Sequence, residues 1–83
     1  MNRKLYIGNL AYAVTEDELK QECARFGAVR AVNVVTDRRT GVSKGFGFVE
    51  FENAEDAHEA VVGLHEKEFH GRRLNVSEAK AQA

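Results

Sequence analysis

Residues 44 to 51 read KGFGFVEF, and the face on which each of these side chains falls decides the fold. Successive side chains of an extended strand point to opposite faces. Gly47, Val49 and Phe51 therefore share one face, and Phe46, Phe48 and Glu50 the other. Assigning the second set to the core would bury Glu50 and expose Val49 and Phe51, so the first set is the core face. Two large aromatics are then left outside, each forgoing roughly 1.5–3 kcal/mol of burial. Aromatic surface left open in this way marks a place that a partner covers. Gly45 and Gly47 take side chains away from beside the rings, keeping them accessible and allowing close helix–strand approach. Lys44, two residues before Phe46, falls by parity on the same face and sets a cation beside the rings.

Upstream, residues 5 to 10 (LYIGNL) alternate as a strand, with Leu5 and Ile7 on one face and Lys4 and Tyr6 on the other. Tyr6 thus joins the open face, and Gly8 and Asn9 prepare the chain to leave the sheet. A helix start follows. Thr15 with Glu18 three residues on has the spacing of a capping box, and Val14 with Leu19 that of a hydrophobic staple. Leu19, Cys23 and Phe26 then recur on one helical face, and Gly27 suits the C′ position. Residues 29 to 36 (VRAVNVVT) read as a second strand, with Val32 and Val34 inward and Asn33 and Val35 outward. The polar segment from Asp37 to Lys44, with Arg38 and Arg39, is a loop around Gly41.

Downstream, Asn53 is expected to cap a second helix with Asp56 at its third position. Ala57, Ala60, Val61 and Leu64 form that helix's apolar stripe. A charged loop with Gly71 leads to a last strand over residues 72 to 77, with Leu74 and Val76 inward and Arg73, Asn75 and Ser77 on the open face. The order β-α-β-β-α-β predicts an α+β domain of the ferredoxin-like kind, a four-stranded antiparallel sheet with both helices packed on one face. The domain is expected over residues 1–80, with 81–83 a short C-terminal tail.

Composition bounds the partners. The chain has 83 residues, room for one small domain, and a net charge of -1. Binders of polyanions usually carry a basic footprint, but the acids here crowd into Glu16, Asp17, Glu18 and Glu22 and again into Glu52, Glu55, Asp56 and Glu59. The bases Arg38, Arg39, Lys44, Arg72 and Arg73 lie elsewhere, so one side of the domain can still be electropositive. The one cysteine, Cys23, cannot make an internal disulfide or a Cys-x-x-Cys site, and it sits on the buried stripe of the first helix. His58, His65 and His70 have no ligand spacing, so no metal and no cofactor are expected. No nucleophile–base pair is visible and no catalytic residue is assigned. The sequence shows neither a signal peptide nor a membrane span, so a reduced, cytoplasmic compartment and a monomer are the expectation.

KGFGFVEF fits every position of the longer ribonucleoprotein motif of the RNA-recognition-motif family, and LYIGNL resembles the shorter one. The resemblance runs over about residues 3 to 79, most like the short single-domain members found in bacteria. It implies single-stranded RNA as the partner, with single-stranded DNA as the other polymer to weigh and no small-molecule substrate. It further implies that Tyr6, Phe46 and Phe48 stack on bases or pack on riboses, that Lys44 contacts phosphate and that Asn9 borders the site. Glu50 either repels phosphate or accepts from a base amino group. Lys4, Asn33, Arg38, Arg39, Arg73, Asn75, Ser77 and Lys80 complete the candidate surface, each a nucleic-acid contact or plain polar surface. A peptide-binding module is the competing class, and a small hydrolase on the same architecture a third.

Overall fold

The computed structural model describes residues 2–79; Lys80 and the tail expected at 81–83 lie outside the described residues. Four strands make the main sheet: β1 (Lys4–Gly8), β2 (Val29–Thr36), β3 (Ser43–Phe51) and a last strand, Asn75–Glu78. Helices α1 (Glu16–Ala24) and α2 (Ala54–Leu64) fall after β1 and β3, as the pattern required. Two further short strands, β4 (Glu68–Phe69) and β5 (Arg72–Arg73), precede the last one, which is therefore β6. The sheet order is β2-β3-β1-β6, and every neighbouring pair is antiparallel.

The core lies between one face of this sheet and the helices. Leu5, Ile7, Val34, Val49, Phe51 and Val76 from the strands meet Leu19 and Cys23 of α1 and Ala57, Ala60 and Leu64 of α2, all buried. These are the inward sets that alternation assigned. Burial pushes the Cys23 thiol up to about 12, and neighbouring Glu22 adds to the effect, so the residue is a neutral core group. The Thr15 capping box is present in both directions. Thr15 Oγ1 accepts from the Glu18 backbone N–H at 3.1 Å, and Glu18 Oε1 accepts from the Thr15 backbone N–H at 3.0 Å.

Three local expectations are corrected. Asn53 does occupy the N-cap position of α2, but its side chain makes no capping bond and instead approaches Asp56 at 3.4 Å. Gly27 is not a left-handed cap: its backbone is extended, and its need for glycine is steric, since a Cβ there would meet the Asp56 side chain at 2.3 Å. The last strand does not run unbroken from 72 to 77. Arg72 and Arg73 pair with Phe69 and Glu68 in a separate hairpin, turned at His70 and Gly71, whose φ values of 53° and 80° suit a two-residue turn. Leu74 is buried between that hairpin and β6, so Arg73 stands off the four-stranded sheet.

Both edges of the sheet carry a side-chain cap. On β2, the Val34 backbone N–H donates to Glu16 Oε2 of α1 at 2.9 Å. On β6, the Val76 backbone N–H donates to Nδ1 of His65, just past α2, at 3.1 Å. Glu22 joins α1 to the segment after α2, accepting from Lys67 Nζ at 2.6 Å and from Arg25 at 2.9 Å.

Candidate nucleic-acid interface

The face of the sheet away from the helices is laid out by strand register. In one row across the sheet, Asn33 of β2 faces Phe48 of β3, which faces Tyr6 of β1, which faces Ser77 of β6. A second row sets Phe46 against Gly8 and Gly8 against Asn75. On the opposite side of the first row, Ala31 faces Glu50, and Glu50 faces Lys4. The three aromatics predicted from alternation are thus neighbours at the centre of the open face.

Their rings form one cluster. The Tyr6 centroid is 5.9 Å from both Phe46 and Phe48, and Phe46 is 6.2 Å from Phe48. Tyr6 and Phe46 are inclined by only 33°, whereas Phe46 and Phe48 meet edge to face at 89°. Spacings of this kind let rings support one another while leaving faces open. Each ring is half-buried, set down on the sheet but uncovered. Flat apolar surface at this spacing can take unstacked bases or the apolar side of a ribose.

Two glycines shape the platform. A Cβ on Gly8 would stand 2.6 Å from the Tyr6 hydroxyl and 2.9 Å from its Cε2, so the phenol lies over residue 8 and needs glycine there. Gly47 has a different cause: a Cβ would meet the Asn33 carbonyl oxygen at 2.5 Å, in the backbone of the neighbouring strand. Gly45 has φ of 86°, and its carbonyl accepts from Leu10 N–H at 2.8 Å, tying β3 to the loop after β1.

Lys4 sets a cation beside the rings, its Nζ 5.1 Å from the Phe48 centroid. Lys44 was placed there by a parity that assumes a regular strand. Between Gly47 and Ser43 the register slips, with two steps on β2 (Val34 to Thr36) matched by four on β3. Lys44 is an exposed residue within that irregularity. Lys4 also stands opposite Glu50, so its charge offsets that of the carboxylate which alternation placed on this face. Lys4, Ala31, Asn33, Phe48 and Glu50 line a shallow open hollow at this end of the rings.

Asn9 does not present a free amide to the site. Its φ is 59°; its Nδ2 donates to the Arg73 carbonyl at 2.7 Å and its Oδ1 accepts from the Arg72 guanidinium at 2.5 Å. It fastens the end of β1 to the β4–β5 hairpin, bringing Arg72 and Arg73 to the margin of the sheet rather than onto it. Arg38 and Arg39 sit in the exposed β2–β3 loop, which Asp37 organises by accepting from the Arg39 and Thr40 N–H groups at 2.8 and 3.2 Å. Among the described residues neither arginine has an ion pair. Asn33, Asn75 and Ser77 are exposed beside the rings. Alternation missed Tyr12, an exposed aromatic in the loop between β1 and α1, because a loop has no period from which to read a direction.

Among the described residues no group of three His, Cys, Asp or Glu is placed to hold a metal ion, and no helix is long and apolar enough to cross a membrane.

Two helices behind an antiparallel sheet with a bare aromatic face define a class of small nucleic-acid-binding domain. The family model described as the RNA recognition motif matches residues 5–75. The chain belongs to that family. It is 43% identical over 76 residues to a putative RNA-binding protein, RbpA, of Nostoc, a match covering 92% of this chain and 74% of that one. It is 42% identical to the mitochondrial glycine-rich RNA-binding protein 3 of Arabidopsis thaliana, but spans only 25% of that protein's length. Among solved structures, the crystal structure of RNA-binding protein PG1 superposes with a TM-score of 0.93 at 45% identity, over 99% of both chains. The RRM of Rna15 with bound RNA (GU) superposes at 0.89 and 30% identity, over 98% of this chain and 86% of that one.

Proposed function

We propose that this protein binds single-stranded RNA on the open face of its sheet, with bases or riboses held on Tyr6, Phe46 and Phe48 and phosphates met by basic residues around them. The observation that carries this reading is the cluster of three uncovered rings on adjacent strands, backed by membership of the RNA recognition motif family. Lys4 stands against the Phe48 ring; Lys44, Arg38, Arg39, Arg72 and Arg73 flank the sheet where a backbone would leave it. Asn33, Glu50, Asn75 and Ser77 border the rings and supply donors and acceptors for base edges.

The area suits about two to four nucleotides. Stacking contributes about 1–3 kcal/mol per base, and after the cost of association the expected affinity is about micromolar, near -8 kcal/mol. Binding is non-catalytic, by one copy of the chain.

The direct test is an NMR titration of the labelled protein with a pool of short random-sequence single-stranded RNA. Saturable shifts at Tyr6, Phe46, Phe48 and their strand neighbours are expected. No change on the sheet at millimolar RNA rules the reading out. A parallel titration with single-stranded DNA measures how far the 2′-hydroxyl contributes.

A further inference from the structure

We propose that the outer face of α2 is a docking surface for the β2–β3 loop of a second copy of this chain, giving a weak head-to-tail contact. The proposal goes beyond the RNA reading and does not depend on it. Val62 of α2 is 68% exposed and Val42 of the loop 52%. A lone exposed valine is ordinary protein surface; the opposite charges around these two carry the argument. The buried residues of α2 are Ala57, Ala60 and Leu64. Helical spacing puts Val62 on the far side from them, together with Glu55, His58 and Glu59. All four are exposed. Glu55 and Glu59 are like charges four positions apart, a spacing that destabilises a helix, and among the described residues neither has an ion pair. Glu55 suits the first turn, where a carboxylate meets the positive end of the helix dipole. Glu59 lies beyond that turn, so a cation brought against this face would relieve the pair.

The β2–β3 loop carries the complementary pattern. Arg38, Arg39 and Lys44 flank Val42, all exposed and without an ion pair among the described residues. The loop's one acid, Asp37, is turned to the backbone, accepting from the Arg39 and Thr40 N–H groups. The Asp37 N–H donates to the Val42 carbonyl and the Gly41 N–H to the Asp37 carbonyl, both at 2.8 Å. The loop is therefore a formed projection that needs little ordering on docking. Valine then meets valine, and the arginines meet Glu55 and Glu59. The two patches lie on different elements, so the contact is heterologous and leaves a pair of copies with one free loop and one free helix face. Exposed ion pairs are individually weak and screened by salt, which sets the association at millimolar protein. RNA at the flank of the sheet would compete with a second copy for the same arginines.

The test is a dilution series of the labelled protein by amide NMR, without RNA and at low salt, from micromolar to millimolar. Amides of residues 38–44 and of 55–62 should shift together as concentration rises, and less so at high salt. Arg38→Gln with Arg39→Gln, and separately Val62→Lys, should each abolish the shifts at both patches. Mixing labelled Val62→Lys with the unlabelled arginine variant should restore them on the labelled chain at residues 38–44 alone, because one intact loop then meets one intact helix face. Val62→Lys brings the net charge of the chain to zero, so bulk attraction does not account for such a recovery. The proposal is overturned by an absence of shifts up to millimolar protein, by shifts confined to the aromatic face or the sheet edges, or by a mixture that stays silent. Each of these results leaves the RNA reading as it stands.

Discussion

The Tyr6 phenol lies over the α-carbon of Gly8, so closely that a single methyl group at residue 8 would stand 2.6 Å from the hydroxyl. Both residues belong to β1 and share its open face. The glycine is thus part of the aromatic platform, as the floor beneath a ring rather than as a hinge. Gly8→Ala should force the ring off its seat and weaken RNA binding several-fold, with the fold retained. Fluorescence anisotropy with a short single-stranded RNA measures the first, an amide NMR spectrum the second; unaltered affinity would show that the ring's present seat is not the one used in binding.

Truncating a platform ring removes stacking without opening the core, because the rings face away from it. Phe46→Ala and Phe48→Ala should each reduce affinity by about 5- to 100-fold, with melting temperatures close to wild type. Affinity unchanged in both would exclude stacking as the source of binding.

The charges on the margins set a shallow salt dependence. With two or three phosphates neutralised, log affinity should fall against log salt with a slope of about -1.4 to -2.1. If Lys4 meets one of them, Lys4→Met should lower that slope by about 0.7, since its ammonium is the one against the Phe48 ring. A slope unchanged by Lys4→Met would give that contact to Lys44 or the arginine loop.

The α1 cap gives a prediction for stability. Thr15→Ala removes the hydroxyl that accepts from Glu18 N–H and should cost about 1 kcal/mol, lowering the melting temperature by about 4–8 °C. The Thr15 backbone N–H, with a smaller contribution from the His70 charge, holds the Glu18 carboxyl below its ordinary 4.5 despite opposing desolvation. A depressed folded-state pKa gives stability that is present above 4.5 and is lost as the pH falls through the lower folded value. Glu18→Gln should remove that part of the acid sensitivity in thermal melts from pH 5 down to about 2.

Cys23 sets a limit on the alkaline side. The unfolded thiol ionises near 9.0 and the folded one near about 12. Between these values the folded state holds the extra proton, so stability falls as pH rises through the window. Cys23→Ala should show a smaller decline in denaturation midpoint across it, and thiol reagents should modify the wild type only on unfolding.

How legible the chain was depends on how regular the backbone is. The inward and outward sets of β3, and the Thr15–Glu18 cap, follow from local spacing and appear in the structure as read. Alternation failed where regularity did. Between Gly47 and Ser43 the register with β2 slips, so parity alone no longer fixes the face of Lys44; Lys4, on unbroken β1, stands against the Phe48 ring. The strand expected over 72–77 is divided because a two-residue strand such as Arg72–Arg73 is too short to show a period. Asn9 is committed to Arg72 and Arg73, more than sixty positions away, and no local pattern reports a bond of that span. Gly8 carries no signal by itself, since its demand comes from the pose of a side chain two residues back.

A sheet that keeps one face bare for a polymer risks being taken up by its own kind, because unpaired edge amides invite a foreign strand. The caps on Val34 and Val76 bear on that hazard. Glu16 and His65 each occupy a donor to which an incoming chain would have to bond, one on either rim. Lateral growth is thereby hindered in both directions. Glu16→Ala together with His65→Ala would leave the open face as it is and strip the rims, turning the domain toward fibrillar association at high concentration.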